Sequence, residues 1–208
     1  MLVLHYTGMP DEAAALARLT DPAAEVSAHY LVAEDGTVIR LVPEDRRAWH
    51  AGVSHWRGQS GLNGRSIGIE VVNPGHDWGY RAFPALQLGA VSALCRDILS
   101  RHPIPPRNVV AHSDIAPDRK RDPGELFDWE GLARDGVGLW PGPWRGAAPG
   151  VGDAPALLAR IGYRTDLPLA VLLTAFQRHW RPARVDGIAD AETLARLAAV
   201  AAACDTPG

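Results

Sequence analysis

The pattern of apolar and polar positions divides the first two-thirds of the chain into alternating strands and helices. Two β-rich runs meet at Asp35-Gly36, a dipeptide typical of tight hairpin turns. Pro84 suits the first turn of a long helix, and Pro103 ends it. The predicted strands lie in residues 2–4, 27–42, 66–72 and 108–111, and the predicted helices in residues 11–19 and 84–102. This order predicts an α/β fold with a mixed central β-sheet flanked by helices.

A stretch rich in proline and glycine, residues 140–152, separates this region from a helical C-terminal part. Beyond it, apolar residues recur at helical spacing over residues 156–161, 169–180 and 191–203. We therefore predict a first domain over residues 1–139, a linker over 140–152 and a small all-α domain over 153–203. Because about 50 residues is small for a solitary domain, we expect this helical part to pack against the first domain.

Composition excludes several classes of protein. Of 208 residues, 47% are hydrophobic and 22% charged, as in ordinary globular proteins. The net charge of −3 and the lack of long basic runs give no support to nucleic-acid binding. No apolar stretch approaches the ~20 residues of a membrane-spanning helix. The start of the chain has no export signal, which predicts the cytoplasm if the sequence is complete and the periplasm or cell envelope if a signal is missing. Oligomeric state stays open.

Residues 111–124, AHSDIAPDRKRDPG, hold an unusual density of ionisable side chains. The stretch has neither strand nor helix periodicity and contains two prolines, so we expect a loop. Loops that carry this much chemistry often form sites on a rigid scaffold. His112 directly follows a predicted strand, and a turn at Pro117 can bring Asp122 back beside it. His5 ends the first strand in the same way.

These three side chains are candidates for a metal site. Zinc in hydrolytic sites takes three protein ligands, commonly imidazole nitrogen and carboxylate oxygen, and keeps one position open. Glu70 is the one acid inside an apolar strand, which makes it a candidate general base. Lys120 can offer positive charge to a developing oxyanion. The residues alone leave structural alternatives open. In these, Glu70 pairs only with an arginine (Arg65 or Arg81), Asp122 only caps a turn, and Lys120 belongs to a solvated basic run.

Five ordered motifs resemble a known family. They are LHYTG at 4–8, VSAHYLV at 26–32, AWHAG at 48–52, SIGIEVVN at 66–73 and AHSDIAPDRKRDPG at 111–124. Together they resemble the zinc-dependent N-acetylmuramoyl-L-alanine amidases of the type-2, AmpD-like family, over roughly residues 1–140. The resemblance implies an AmpD/peptidoglycan-recognition-like fold and hydrolysis of the amide between N-acetylmuramic acid and L-alanine in peptidoglycan or muropeptides. A non-catalytic peptidoglycan-recognition module is the alternative.

Site roles follow from the same resemblance. It implies that Zn²⁺ is held by His5, His112 and Asp122, with Glu70 and Lys120 as catalytic residues. It further implies substrate contacts from His29, Trp49, His50 and Asn73. Asp118 departs from the pattern, since the family often has glycine there.

The C-terminal part resembles a small helical peptidoglycan-binding module, on the basis of residues 175–177 and of Asp186-Gly187 before Thr193. The glycine usual before that threonine is absent. A helical appendage that only packs against the catalytic domain is the alternative.

Overall fold

The structure, a computed structural model, describes residues 1–206. Its centre is a five-stranded mixed β-sheet. The strands of the chain are β1 (Leu2–Tyr6), β2 (Tyr30–Val32), β3 (Val38–Arg40), β4 (His55–Trp56), β5 (Gln59–Ser60), β6 (Ile67–Val71) and β7 (Val109–Ala111). The sheet order is β3-β2-β6-β1-β7, while β4 and β5 form a separate two-stranded hairpin. Within the five-stranded sheet, β1 runs parallel to both of its neighbours, β2 runs parallel to β6, and β2 and β3 pair antiparallel. The predicted mixed sheet and its hairpin are confirmed.

Helices cover the sheet and make up the C-terminal part. They are α1 (Glu12–Thr20), α2 (Gly75–Trp78), α3 (Ala85–Arg101), α4 (His112–Ile115), α5 (Trp129–Arg134), α6 (Ala154–Ile161), α7 (Leu169–Trp180) and α8 (Ala191–Asp205), with single 3₁₀ turns at Pro22–Ala24, Leu62–Gly64, Pro106–Asn108 and Val151–Asp153. α1 begins after Asp11, whose carboxylate accepts the Ala14 N–H at 2.8 Å. All helices predicted from apolar spacing are confirmed.

The prediction that residues 111–124 form a loop throughout is wrong at one end, where α4 makes a helical turn. The turn forms because the Asp114 carboxylate accepts the Ala111 N–H at 2.8 Å and satisfies a free donor of the first turn. Ile115 anchors the turn, since its side chain is fully buried in the core. A helix this short has too few residues to show apolar periodicity.

Successive side chains along the strands point to opposite faces of the sheet, so the protein has a hydrophobic core on each face. Leu2 and Leu4 of β1 join Ile69 of β6 in a cluster covered by α3 and α5. Val3 points to the opposite face, where α6, α7 and α8 pack. His5 follows Val3 at a spacing of two, so it also faces away from α3. The face without α3 therefore carries the chemistry.

The C-terminal helices share their core with the sheet. Val3, Val110 and Ile115 of the first region lie in one cluster with Phe176 of α7 and Leu197 of α8. The expected packing of the helical part against the first region is therefore confirmed. The division into domains at 139 and 153 stays a prediction. Within residues 1–206, no helix has the length and apolar character needed to cross a membrane.

Candidate metal centre and active site

Three parallel strands bring the candidate residues to one edge of the sheet. In β1, Leu4 pairs with Ala111 of β7, so His5 and His112 reach the carboxyl ends of adjacent strands together. The chain then turns at Ala116, whose carbonyl oxygen accepts the N–H groups of two following residues. This turn returns Asp122 to the same edge, as the sequence suggested.

The three side chains converge on one point. The Nδ1 atoms of His5 and His112 lie 2.9 Å apart. Oδ2 of Asp122 lies 3.0 Å from Nδ1 of His5 and 2.9 Å from Nδ1 of His112. All three residues are buried. Asp122 thus points its carboxylate at the two histidines, which argues against the alternative that it only caps a turn.

The protonation of His112 follows from its surroundings. Its Nε2 lies 3.3 Å from the carbonyl oxygen of Ala51, which can only accept a hydrogen bond. The proton of a neutral His112 ring therefore sits on Nε2, and Nδ1 keeps its lone pair. That lone pair faces Asp122.

A chain of hydrogen bonds fixes the proton of His5 in the same way. The Ser66 hydroxyl donates to the carbonyl oxygen of Leu62 at 2.7 Å, so it accepts from Nε2 of His50 at 3.2 Å. Nδ1 of His50 then accepts from Nε2 of His5 at 3.0 Å. Nδ1 of His5 is left without a proton, again facing Asp122.

The resulting donor set fits a divalent cation. Burial and the nearby His112 lower the pKa of His5 to about 4, so its ring is neutral near pH 7. Although burial by itself raises the pKa of Asp122, the two histidines hold it well below its usual range. Three lone pairs at about 3 Å repel each other unless a cation lies between them. Ligands at Zn–N distances of ~2.0–2.1 Å in tetrahedral geometry lie about that far apart, so His5, His112 and Asp122 fit Zn²⁺.

Glu70 lies beside this cluster. It pairs in register with His5 across β6 and β1, and side chains of paired residues in parallel strands share a face. The carboxyl group is buried, and its Oε2 has no hydrogen-bond partner within residues 1–206. Burial and the charge of Asp122 raise its pKa well above the ordinary value. The alternative that an arginine pairs with Glu70 is not supported, because Arg81 binds Glu34 at 2.6 Å and Arg65 binds Gln59.

A cleft of about 360 Å³ opens over the cluster. Glu70, His112 and Asp122 lie in its wall together with Lys120, which is half-buried. Both cationic neighbours of Lys120 are engaged elsewhere: Arg121 binds Asp77, and Arg119 donates to a backbone carbonyl. Lys120 is less exposed than either of these neighbours and lines the cleft, which favours a role in the site over a uniformly solvated basic run.

The structure places the four predicted substrate contacts differently from one another. His29 is buried, and its Nδ1 and Nε2 bond the Gly68 N–H and the Arg46 carbonyl oxygen. His50 is buried behind His5, as described above. The buried Asn73 side chain bonds backbone groups at 2.8 and 3.0 Å.

Trp49, by contrast, is 48% exposed. It lines a shallow pocket next to the main cleft, and Leu19 and Val26 lie in the wall of both. Trp49 is thus the one of the four that the structure offers to a ligand. The role of all four as substrate contacts stays a prediction.

Gly68 is a site residue that the sequence analysis missed. It lies two residues before Glu70 on β6 and therefore faces the same side. A Cβ at this position would overlap the His50 ring, with Nδ1 of that ring at 2.5 Å. The sequence held a signal for this role, because a glycine inside an apolar strand often marks the close approach of another group.

We expect Gly68→Ala to displace His50 and so to weaken its support of His5. Loss of such support typically costs ~10–100-fold in metal affinity, and overpacking costs ~1–3 kcal/mol in the free energy of unfolding. A Zn²⁺ competition titration and chemical denaturation measure the two effects. Gly64→Ala is the matched control, because a Cβ there meets open space. Equal metal affinity in the two variants would contradict this reading of His50.

Comparison with known proteins agrees with this geometry. A family model described as N-acetylmuramoyl-L-alanine amidase matches residues 1–125, which include His5, Glu70, His112, Lys120 and Asp122. The chain belongs to this amidase family. The resemblance to type-2, AmpD-like amidases is thereby confirmed.

Individual amidases are similar over most of the chain. N-acetylmuramoyl-L-alanine amidase AmiD of Escherichia coli is 43% identical over 94% of this chain and 79% of its own length. A structure of that AmiD with anhydro-N-acetylmuramic acid-L-Ala-D-gamma-Glu-L-Lys has a TM-score of 0.86 and covers 96% of this chain and 87% of the other, at 41% identity. AmpDh3 of Pseudomonas aeruginosa, solved with anhydromuramic pentapeptide, has a TM-score of 0.85 at 37% identity, covering 96% and 89%. The amidase fold, including the C-terminal helices, is thus shared.

Proposed function

We propose that this amidase cuts the amide bond between N-acetylmuramic acid and L-alanine, at a Zn²⁺ ion held by His5, His112 and Asp122. The observation that carries the proposal is the convergence of three ligand atoms beside Glu70, whose buried Oε2 has no hydrogen-bond partner within residues 1–206. A closed structural zinc site has four protein ligands, whereas this cluster has three and opens to a cleft. The arrangement therefore suits hydrolysis.

Held by His5, His112 and Asp122, a Zn²⁺ ion would act as a Lewis acid that polarises the scissile carbonyl and lowers the pKa of a bound water toward ~7. Glu70 takes a proton from that water as its oxygen bonds to the lactyl carbonyl carbon. Lys120 donates to the oxyanion that forms on the carbonyl oxygen. Glu70 then passes its proton to the departing nitrogen as the C–N bond breaks. The products are the lactyl carboxylate and a peptide with a free L-alanine amino group.

For the substrate, we propose muropeptides, including forms that end in anhydro-N-acetylmuramic acid. AmiD and AmpDh3 were solved with such ligands, and both resemble this chain over nearly its full length. The adjacent pocket, which shares Leu19 and Val26 with the cleft and reaches Trp49, offers surface for parts of the substrate beyond the reacting bond. We propose that residues 1–139 form the catalytic domain, residues 140–152 a linker and residues 153–203 a helical domain.

The alternative of a recognition module without catalysis predicts a missing ligand or a missing base. This site has all three ligands, and it has a candidate base, Glu70, buried beside them. This favours an enzyme over a binding protein.

Mass spectrometry of defined muropeptides tests the proposal. We expect the intact chain to release a stem peptide with a free L-alanine amino group, to lose this activity in a chelator and to regain it with Zn²⁺. Cleavage at another amide would contradict the proposed bond. Muropeptides that stay intact in the presence of one bound Zn²⁺ per chain would support the recognition module instead.

A further inference from the structure

A buried carboxylate lies immediately behind the metal cluster. Asp114 is two residues beyond His112 on α4, and it is 1% exposed. Its Oδ2 accepts the Ala111 N–H at 2.8 Å and Nδ1–H of His179 at 2.6 Å, while its Oδ1 accepts the Tyr163 hydroxyl. We call Asp114, Tyr163 and His179 the Asp114 clamp. Two of its three members come from the C-terminal helical unit.

The histidine of the clamp is held on both faces. The Trp129 ring stacks on one side of His179 at a centroid distance of 3.8 Å and an angle of 25°. The Trp180 ring stacks at 3.9 Å and 8°. This sandwich fixes the plane of the imidazole and therefore the direction of its Nδ1–H toward Asp114.

The turn that the clamp holds carries one proposed metal ligand, His112, and is hydrogen-bonded to the backbone of another, Asp122. His112 is the first residue of α4, and the Ser113 N–H donates to the backbone carbonyl oxygen of Asp122 at 3.0 Å. α4 is only four residues long, and a helix of that length is unstable without tertiary support. A carboxylate buried beneath it without partners would destabilise it further.

We propose that Tyr163 and His179 position His112 and Asp122 through Asp114, so that the C-terminal helices are part of the metal centre. The inference rests on the proposed function, because it takes those two residues as metal ligands. It assigns the helical unit a task apart from wall binding. Tyr163 and His179 lie outside both the lining of the cleft and the ligand cluster, so they act as positioning residues.

Two conservative variants of the full chain test the inference. Tyr163→Phe removes one hydroxyl, and His179→Phe keeps an aromatic ring between the two tryptophans but removes the Nδ1–H donor. We expect each to lower the Zn²⁺ affinity by about 10-fold. This is the lower end of the ~10–100-fold loss typical when a residue that supports a metal ligand is removed. We also expect a changed visible absorption spectrum of the Co²⁺-loaded protein, and recovery of kcat in excess Zn²⁺.

Gln177→Leu is the matched control. Gln177 lies on the same helix as His179 and is buried, and its amide bonds Asp186 and Thr193, not the clamp. We expect this variant to lower the Tm and to leave the Zn²⁺ affinity and the Co²⁺ spectrum unchanged.

The outcomes separate this inference from the proposed function. The inference is overturned, and the proposed function stands, if both clamp variants bind Zn²⁺ like wild type. The same holds if Gln177→Leu weakens Zn²⁺ binding in proportion to its loss of Tm. A wild-type chain that binds no Zn²⁺ would overturn the proposed function, and this inference with it.

Discussion

Replacing Glu70 with glutamine is expected to lower kcat by ~10²–10⁴-fold, the usual contribution of a general acid–base, while the protein keeps its Zn²⁺. Glutamine has nearly the same shape as glutamic acid but cannot accept and return a proton. Glu70 is not one of the three converging ligand residues, so the metal cluster should stay intact. Turnover of a defined muropeptide and metal content per chain are the two measurements.

The exposed Glu130→Gln is the control for this variant, since it makes the same chemical change away from the cleft. Wild-type turnover in Glu70→Gln would remove Glu70 from the mechanism. Loss of metal along with turnover would make it a structural partner of the cluster instead.

The same variant has a second expected effect, on stability in a chelator. Burial and the charge of Asp122 raise the pKa of Glu70 well above its ordinary value of 4.5. The folded state then binds more protons than the unfolded state at any pH between 4.5 and that raised pKa, so the free energy of unfolding falls as pH rises. Glutamine does not titrate. Metal-free Glu70→Gln should therefore be more stable than wild type at pH 7, with the difference vanishing below pH 4.5.

Asp122→Asn is expected to abolish both Zn²⁺ binding and turnover. The substitution keeps the shape of the side chain but removes the negative charge that the two histidine Nδ1 atoms face. Removing a residue that only supports a metal ligand already costs ~10–100-fold in metal affinity. Loss of a ligand itself should therefore cost more than ~100-fold. A competition titration for Zn²⁺ and the muropeptide assay measure the two effects.

Asp118→Asn is the matched control, because Asp118 is an exposed acid of the same loop, four residues away. We expect it to bind Zn²⁺ like wild type. An Asp122→Asn chain that keeps one tightly bound Zn²⁺ and full turnover would exclude Asp122 from the ligand set.

Much of the fold could be predicted from the sequence because its signals are local. Strand and helix periodicity, the Asp35-Gly36 turn and the prolines around α3 each act within a few residues. The sequence also placed His5 and His112 at or just after the ends of predicted strands, and the parallel pairing of β1 and β7 then brings the carboxyl ends of both strands to one edge. The helical turn α4 escaped prediction because it depends on burial of Ile115 and on contacts with distant helices.

The sequence by itself determined the residue types of the candidate site and the strands that deliver them. Only the tertiary structure decided which nitrogen of each histidine faces Asp122, because that depends on Ala51 and Ser66, which are remote from both rings along the chain. It likewise joined Asp114 to Tyr163 and His179 across 49 and 65 residues. Hydrogen bonds between side chains far apart in sequence leave no periodic trace, so chain packing alone reveals them.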